Sequence, residues 1–252
     1  MGDLNKQKAI QIGGIPVDLY EGQEYESLVS SAIEKNQKKT FFHINAHLVV
    51  LANTKFPWLK NKFTKNVDFV MCDGAGIQLA AFILGKSVPK KIAYNIWFWD
   101  FAKFCADKGY RIFFLGAKKE VVEKAASKMR DHAPELQIET QHGYFNQNKD
   151  AAENKDVIDL INSYSPQILL VGLGMPQQES WILKNMDRLN VNAFFPCGGA
   201  FDFFAGNKSV APSWLRKMKL EWLYRMAREP IRLGKRYLLE NPQFIYYALR
   251  DR

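Results

Sequence analysis

Asp73 is the carboxylate whose position in the sequence most favours chemistry. It directly follows the apolar run 67–72 and precedes Gly74 in the segment Asp73-Gly74-Ala75-Gly76. A carboxylate at the end of a buried strand can have a raised pKa and can act as a general base. The same position equally suits a residue that caps the following helix, and position alone does not separate the two roles.

Three other segments combine a predicted strand end with glycine or with polar side chains. They are Asn45-Ala46-His47, the run Gly172-Leu173-Gly174-Met175-Pro176-Gln177-Gln178-Glu179, and Gly198-Gly199-Ala200-Phe201-Asp202. In open parallel sheets, ligands bind beyond the carboxyl ends of the strands, where glycine lets the backbone come close. The helix start after Gly174 would offer free N–H groups to a phosphate, although such glycines are also found in plain turns. Asn45 is either a polar ligand or the residue that closes its strand, and Asp202 is either a ribose ligand or a turn residue.

Several familiar nucleotide and metal motifs are absent. Gln177 replaces the third glycine of a dinucleotide fingerprint, and the chain has neither a phosphate-binding Walker loop nor an Asp-x-Asp motif. Three widely spaced cysteines exclude a disulfide framework and a cysteine-based zinc site, and the pair His43 and His47 is not favoured as a metal site. We therefore predict no metal and no cofactor. The charge of any nucleotide diphosphate must then be met mainly by Arg or Lys.

The elements that must position these residues alternate between strands and helices. Strands are predicted at 41–45, 67–72, 111–115, 136–141, 167–173 and 191–195, and helices at 46–63, 75–84, 96–108, 118–132, 150–164 and 175–189. This alternation predicts an α/β fold, with a Rossmann-like and mostly parallel sheet that carries helices on both faces. We expect one α/β domain over residues 1–207, followed by a helical C-terminal appendage over residues 208–252.

The appendage holds most of the positive charge. The whole chain of 252 residues has a net charge of +9, of which residues 208–252 contribute +7. Apolar residues recur at helical spacing from Ser213 to Arg228, with Arg and Lys among them, and three prolines, Pro212, Pro230 and Pro242, are expected to divide the appendage into short helices. Such a mixture fits an anionic membrane surface or a plain packed helix. Nucleic acid is the weakest alternative, because no nucleic-acid motif accompanies the charge.

No export signal is visible, and no apolar run approaches the roughly 18 residues that a membrane span needs. We therefore expect a chain that does not span a membrane. The composition, 47% apolar and 24% charged, is that of a globular protein.

Motifs spread from about Ile10 to Arg250 give the chain its resemblance to a known family. It resembles the bacterial WecG/TagA/CpsF glycosyltransferases. The matching segments are His43-Ile44-Asn45-Ala46-His47-Leu48-Val49, Cys72-Asp73-Gly74-Ala75-Gly76, Tyr110-Arg111-Ile112-Phe113-Phe114-Leu115-Gly116, His142-Gly143-Tyr144-Phe145, Leu170 to Glu179, Gly198 to Phe203, Ala211-Pro212, Glu221-Trp222-Leu223-Tyr224-Arg225 and Arg228-Glu229-Pro230-Ile231-Arg232.

The resemblance implies an inverting transfer of a sugar from a UDP-sugar to a polyprenyl-diphosphate-linked sugar, without an essential metal. It places the reaction on the inner face of the bacterial plasma membrane, with the appendage as the docking element, and it is compatible with a homo-oligomer. It implies that Asp73 is the general base that deprotonates the acceptor hydroxyl.

The other roles that the resemblance implies concern binding and charge. Asn45 and Gln178 match polar residues of the pocket. Arg225 and Arg232 match arginines that fold over the site and stabilise the departing diphosphate, and Lys235 falls near a third basic position. We add Gly74, Gly174 and Asp202 to the predicted substrate-binding residues because they lie at strand ends.

One segment departs from the family. Many members carry Arg-x-Thr-Gly-x-Asp where this chain reads Lys90-Lys91-Ile92-Ala93-Tyr94-Asn95. The departure leaves the donor open between N-acetylmannosamine and glucose. Either Lys90 or Lys91 could supply the missing positive charge, and we include Lys91 among the predicted binding residues.

Two functions of other classes compete with the transferase. The Gly172-x-Gly174 turn suggests a nucleotide-dependent oxidoreductase, but the acidic residue expected about 20 residues later is missing. The basic tail alone would suit a peripheral membrane-binding scaffold. In that case Asp73→Asn would change nothing measurable.

Overall fold

The computed structural model describes residues 9–218 and 220–250, apart from the side chains of Lys217, Arg232, Lys235 and Arg236. Within these residues, six parallel strands form the main sheet in the order β4-β3-β8-β7-β5-β6, and β1 pairs with β2 as an antiparallel hairpin. The strands are β1 (Ala9–Ile12), β2 (Ile15–Asp18), β3 (Lys39–Ile44), β4 (Phe69–Cys72), β5 (Ile112–Gly116), β6 (Ile138–Gln141), β7 (Ile168–Gly172) and β8 (Ala193–Pro196).

Helices connect the strands and follow the last one. They are α1 (Gly22–Glu34), α2 (Ala46–Asn53), α3 (Trp58–Lys65), α4 (Ala75–Ile83), α5 (Tyr94–Asp107), α6 (Lys119–His132), α7 (Ala152–Tyr164), α8 (Gln177–Asn185), α9 (Ala200–Phe204), α10 (Ser213–Lys217), α11 (Glu221–Arg228) and α12 (Pro230–Leu249), and a 3₁₀ turn covers Met186–Arg188.

Successive side chains along each strand enter two different apolar clusters. Phe42 and Val171 pack with α2, α3, α4, α7, α8 and α12 on one face, whereas Phe41 and Leu170 pack with α1, α5, α6 and α9 on the other. Strands that are buried on both faces read as continuous apolar runs, which is how the sequence identified them. The predicted α/β fold, with a parallel sheet between two helical layers, is confirmed.

The prediction of one helix over 46–63 is wrong, because α2 and α3 are separate. Pro57 lies between them, and a proline disfavours helical backbone in the residue before it. The chain turns there with the Phe56 N–H donating to the Leu51 carbonyl at 2.8 Å. Two further elements, α1 and the β1–β2 hairpin, were not predicted. The turn of this hairpin places Gly13 and Gly14 at positive φ.

The appendage differs from its prediction at two points. The continuous helical pattern over 213–228 is divided into α10 and α11, and α12 runs through Pro242 instead of ending there. The helix continues because side chains on both sides of the proline are buried. Leu233, before the proline, is 1% exposed, and Phe244 and Ala248, after it, belong to the apolar cluster that contains α2. None of the described helices combines the length and the apolar character needed to cross a bilayer.

Candidate active site

The predicted site residues line one edge of the sheet. Asp73 follows β4, Asn45 follows β3, Asp202 lies in α9 shortly after β8, and Gly174 follows β7. These four strands are adjacent in the order β4-β3-β8-β7, so their ends form a row roughly 15 Å long at the usual spacing between strands. The fold therefore brings together the strand ends that the sequence analysis selected.

Asp73 lies at the outer end of this row. Its N–H donates to the Ile44 carbonyl at 2.8 Å, which fixes the backbone where β4 ends, and the residue is half-buried. The next residue, Gly74, has a φ of +96°, and apart from its two chain neighbours no residue comes within 4 Å of where its side chain would begin. This glycine conformation turns the chain into α4 and leaves open space beside the carboxylate.

His43 is a neighbour of Asp73 that the sequence analysis did not assign to the site. The residue is 4% exposed, and its ring lies 5.1 Å from the Tyr94 ring. Burial lowers the pKa of His43, and this effect exceeds the opposing attraction of the Asp73 carboxylate and the Pro196 carbonyl. His43 is therefore neutral near neutral pH, and no residue in the described part of the chain forms a hydrogen bond to its Nδ1.

Asn45 has a clear local role. Its Oδ1 accepts a hydrogen bond from the Leu48 N–H at 3.1 Å and so caps α2. The side chain is half-buried beside the row of strand ends. Its role as a substrate ligand stays a prediction.

Gln178 and Glu179 lie inside the protein, at the start of α8. Both are 0% exposed. The Gln178 amide donates to Glu179 Oε1 at 2.8 Å and accepts from the Gly198 N–H at 2.9 Å. Gln178 therefore connects α8 to the turn after β8 from within the core. Its role as a substrate ligand stays a prediction.

A cleft of about 640 Å³ opens at the other end of the row, where β5, β6 and β7 end. Its walls include Ala117, Gly143, Leu173, Gln177 and the exposed ring of Tyr144. Gly116 pairs with Gly172 beside the cleft, and a side chain on Gly116 would lie 2.4 Å from the Gly172 carbonyl oxygen. Glycine at position 116 therefore lets the ends of β5 and β7 lie this close together.

Asp202 and Gly174 follow the third and fourth strands of the row, β8 and β7. Gly174 has a φ of +81° with open space on its side-chain side, and α8 begins three residues later. The Asp202 carboxylate lies 3.8 Å from Lys208 Nζ, and Lys208 also lies 3.5 Å from Glu229. Asp202 therefore contacts the start of the appendage, and its role as a ribose ligand stays a prediction.

Two of the predicted cations reach the site from opposite sides. Lys91 forms an ion pair with Glu221 of α11 at 2.5 Å, and the Arg225 guanidinium lies over the Phe203 ring, 5.8 Å from its centre. The side chains of Arg232 and Lys235 lie outside the described residues, although their backbone belongs to α12. In the part of the chain that the structure describes, no three His, Cys, Asp or Glu side chains are grouped so that they could hold a metal ion.

Glu221, the ion-pair partner of Lys91, was not among the predicted site residues. The pairing of residues 91 and 221 depends on the tertiary fold, so no local pattern reveals it. One pattern in the sequence does connect Glu221 with a predicted site residue. Glu221 precedes Arg225 by four residues, and this spacing places both side chains on one face of a helix.

The chain is similar to known proteins over most of its length. The model of the glycosyl transferase WecG/TagA/CpsF family matches residues 10–252. Two similar proteins come from Staphylococcus aureus, strains MW2 and COL, and each is named N-acetylglucosaminyldiphosphoundecaprenol N-acetyl-beta-D-mannosaminyltransferase. Each is 28% identical over 202 residues, which cover 80% of this chain and 76% of the relative.

Proposed function

Because the chain belongs to the glycosyl transferase WecG/TagA/CpsF family, we propose that it transfers a sugar from a UDP-sugar to a polyprenyl-diphosphate-linked sugar, with inversion at the anomeric carbon. The names of the two relatives support an acceptor of the diphosphoundecaprenol type. The transferred sugar is N-acetylmannosamine, as in those names, or glucose. The product would serve the synthesis of a cell-surface polysaccharide.

The observation that carries this proposal is the separation between the cleft and Asp73. The cleft and the Tyr144 ring lie at the ends of β5, β6 and β7, whereas Asp73 lies at the end of β4, across the row. A nucleoside in the cleft would direct its diphosphate along the turns at Gly174 and Gly198. The sugar would then lie towards Asp73, where the acceptor hydroxyl must arrive.

In the proposed mechanism, Asp73 takes the proton of the acceptor hydroxyl while the oxygen attacks the anomeric carbon on the face opposite the diphosphate. A base in such a position typically contributes ~10²–10⁴-fold to the rate. Arg225 and Arg232 meet the negative charge that grows on the departing UDP, so the reaction requires no metal. Cations that act on this charge favour the transition state over the bound substrate.

The appendage is the proposed membrane-docking element, on the inner face of the plasma membrane. Its outer surface exposes Trp214 (60%), Met218 (60%), Ile231 (91%) and Leu238 (78%), in a segment of net charge +7. Exposed apolar side chains among Lys and Arg are typical of interfacial helices. Sedimentation with anionic vesicles, but not with neutral ones, is the expected result. A protein that stays in solution with both would contradict the docking role.

The proposed function is tested by measuring UDP release from UDP-N-acetylmannosamine, UDP-glucose and UDP-N-acetylglucosamine. A short polyprenyl-diphosphate-sugar acceptor and excess EDTA are present throughout. We expect release that depends on the acceptor with one of these donors. A folded protein that releases no UDP from any of them, with an authentic membrane acceptor supplied, would contradict the proposal.

A further inference from the structure

Helix α11 extends across the mouth of the candidate site, and its first residue is attached to the β4 side. Glu221 Oε2 lies 2.5 Å from Lys91 Nζ, and the two side chains are only 16% and 26% exposed. Lys91 is held at the end of β4, because the next residue, Ile92, donates its N–H to the Cys72 carbonyl at 2.8 Å. The ion pair therefore fixes the start of α11 beside Asp73.

The later part of α11 is attached to the β8 side. The Arg225 guanidinium lies 5.8 Å from the centre of the Phe203 ring, and the Tyr224 hydroxyl lies 2.8 Å from Ser209 Oγ. Phe203 belongs to α9, which follows β8. Glu221 and Arg225 are separated by four residues, so both contacts come from one face of the helix.

Polar contacts matter here because α11 has no anchor in the core. None of its eight residues is buried, and Trp222 and Leu223 are 44% and 40% exposed. A helix of this length is marginal by itself in water, so its position depends on the groups that it contacts. The Lys91–Glu221 ion pair attaches α11 to the β4 side.

We propose that Lys91 and Glu221 are a positioning pair, whose ion pair holds α11 across the strand ends and so places the Arg225 guanidinium where the departing diphosphate needs it. This inference rests on the proposed function. It gives Lys91 a role that does not require contact with the substrate.

The ion pair between Lys90 and Glu21 provides a matched control. The Lys90 ammonium lies 2.6 Å from the Glu21 carboxylate, but this pair joins two parts of the α/β region and is exposed, with 65% and 54% of the two side chains accessible. Exposed pairs of this kind contribute little to stability. Glu21→Gln therefore makes the same chemical change as Glu221→Gln without touching α11.

Glu221→Gln is the decisive variant, because a direct role of Lys91 in substrate binding predicts the opposite result. If Lys91 acted only as a ligand, removing the Glu221 charge would release it and leave kcat unchanged or higher. The positioning role predicts that kcat falls about tenfold to a hundredfold, with little change in the KM for the donor. The charge-exchanged protein with Lys91→Glu and Glu221→Lys should recover most of the loss, and Glu21→Gln should match the wild type.

A double-mutant cycle with Arg225→Ala tests whether the loss of kcat in Glu221→Gln arises through Arg225. If Glu221 acts through Arg225, adding Glu221→Gln to Arg225→Ala should reduce kcat by less than twofold more. Fully additive losses, or a Glu221→Gln protein with wild-type kcat, would overturn the inference while leaving the proposed function intact. An inactive but folded wild-type protein would instead contradict the proposed function itself.

Discussion

The Glu179 carboxyl accepts a hydrogen bond from the Gln178 amide at 2.8 Å, and both side chains are completely buried. Because the same amide accepts from the Gly198 N–H at 2.9 Å, its oxygen must face Gly198 and its nitrogen must face Glu179. Glu179 thus fixes the orientation of Gln178. Through Gln178 it supports the turn after β8, near the middle of the row of strand ends.

Burial raises the pKa of Glu179 to about 7, so the protonated form is the one that the fold favours. Between the ordinary carboxyl pKa and about 7, the folded state binds more protons than the unfolded state. The stability that this carboxyl contributes is therefore greatest at low pH and is lost as the pH rises through this interval. The wild type should lose on the order of 3 kcal/mol of its free energy of unfolding in this way. We predict that Glu179→Gln, whose side chain stays neutral, does not show this loss.

The measurement for this prediction is the free energy of unfolding by urea at pH 5, 6 and 8. The difference between Glu179→Gln and the wild type should grow in favour of the variant as the pH rises. Glu120→Gln, on the exposed surface of α6, should leave the pH dependence unchanged. A constant difference across this pH range would mean that Glu179 is ionised at low pH in the folded protein.

Asp73→Asn should reduce acceptor-dependent UDP release by ~10²–10⁴-fold, because an amide cannot take the acceptor proton. The change keeps the shape of the side chain, so donor binding and the unfolding temperature should stay close to those of the wild type. Binding is measured by titration with UDP. A variant that retains most of its turnover would show that another group is the base.

Phe244→Ala tests how α12 is attached. The ring is 5% exposed, belongs to the core cluster that contains α2, and lies beside Gly76 of α4. We expect a loss of about 3 kcal/mol in the free energy of unfolding, or faster proteolytic cleavage within α12 if the helix detaches alone. Ile245→Ala is the control, because its side chain is 46% exposed. Equal stability of Phe244→Ala and the wild type would contradict the packing described for α12.

The main sheet could be predicted because its strands are buried on both faces. Runs such as 112–115 and 168–173 are continuously apolar, and their length and spacing define βαβ units without tertiary information. The break between α2 and α3 had a local signal in the sequence, which is Pro57, and the β1–β2 turn had one in Gly13-Gly14. The continuity of α12 through Pro242 did not, because it depends on burial of Phe244 and Ala248 against other helices.

The site was predicted in part. Asp73, Asn45, Gly174 and Asp202 were identified because a strand end followed by glycine or a polar residue is readable locally. The pairs Lys91–Glu221 and His47–Glu240 join residues more than 100 positions apart, so only the fold brings them together. For the same reason, the sequence did not reveal that Gln178 is held within the core.

The appendage was expected to be a separate unit, and that division at residue 208 stays a prediction. Each of the three acidic side chains in its described part contacts a basic side chain: Glu221 contacts Lys91, Glu229 contacts Lys208 and Glu240 contacts His47. Two of these partners belong to the α/β region. A chain cut near Lys208 would therefore lose these contacts and expose the surface that Phe244 covers.

The most direct test of the central claim is transfer of a radiolabelled sugar from a UDP-sugar to a polyprenyl-diphosphate-linked N-acetylglucosamine, followed by extraction of the lipid. The account predicts label in the lipid fraction with the wild-type protein, with the anomeric configuration opposite to that of the donor, and almost none with Asp73→Asn. Label that stays in the aqueous fraction with a folded wild-type protein and each donor, or a product that retains the donor configuration, would contradict it.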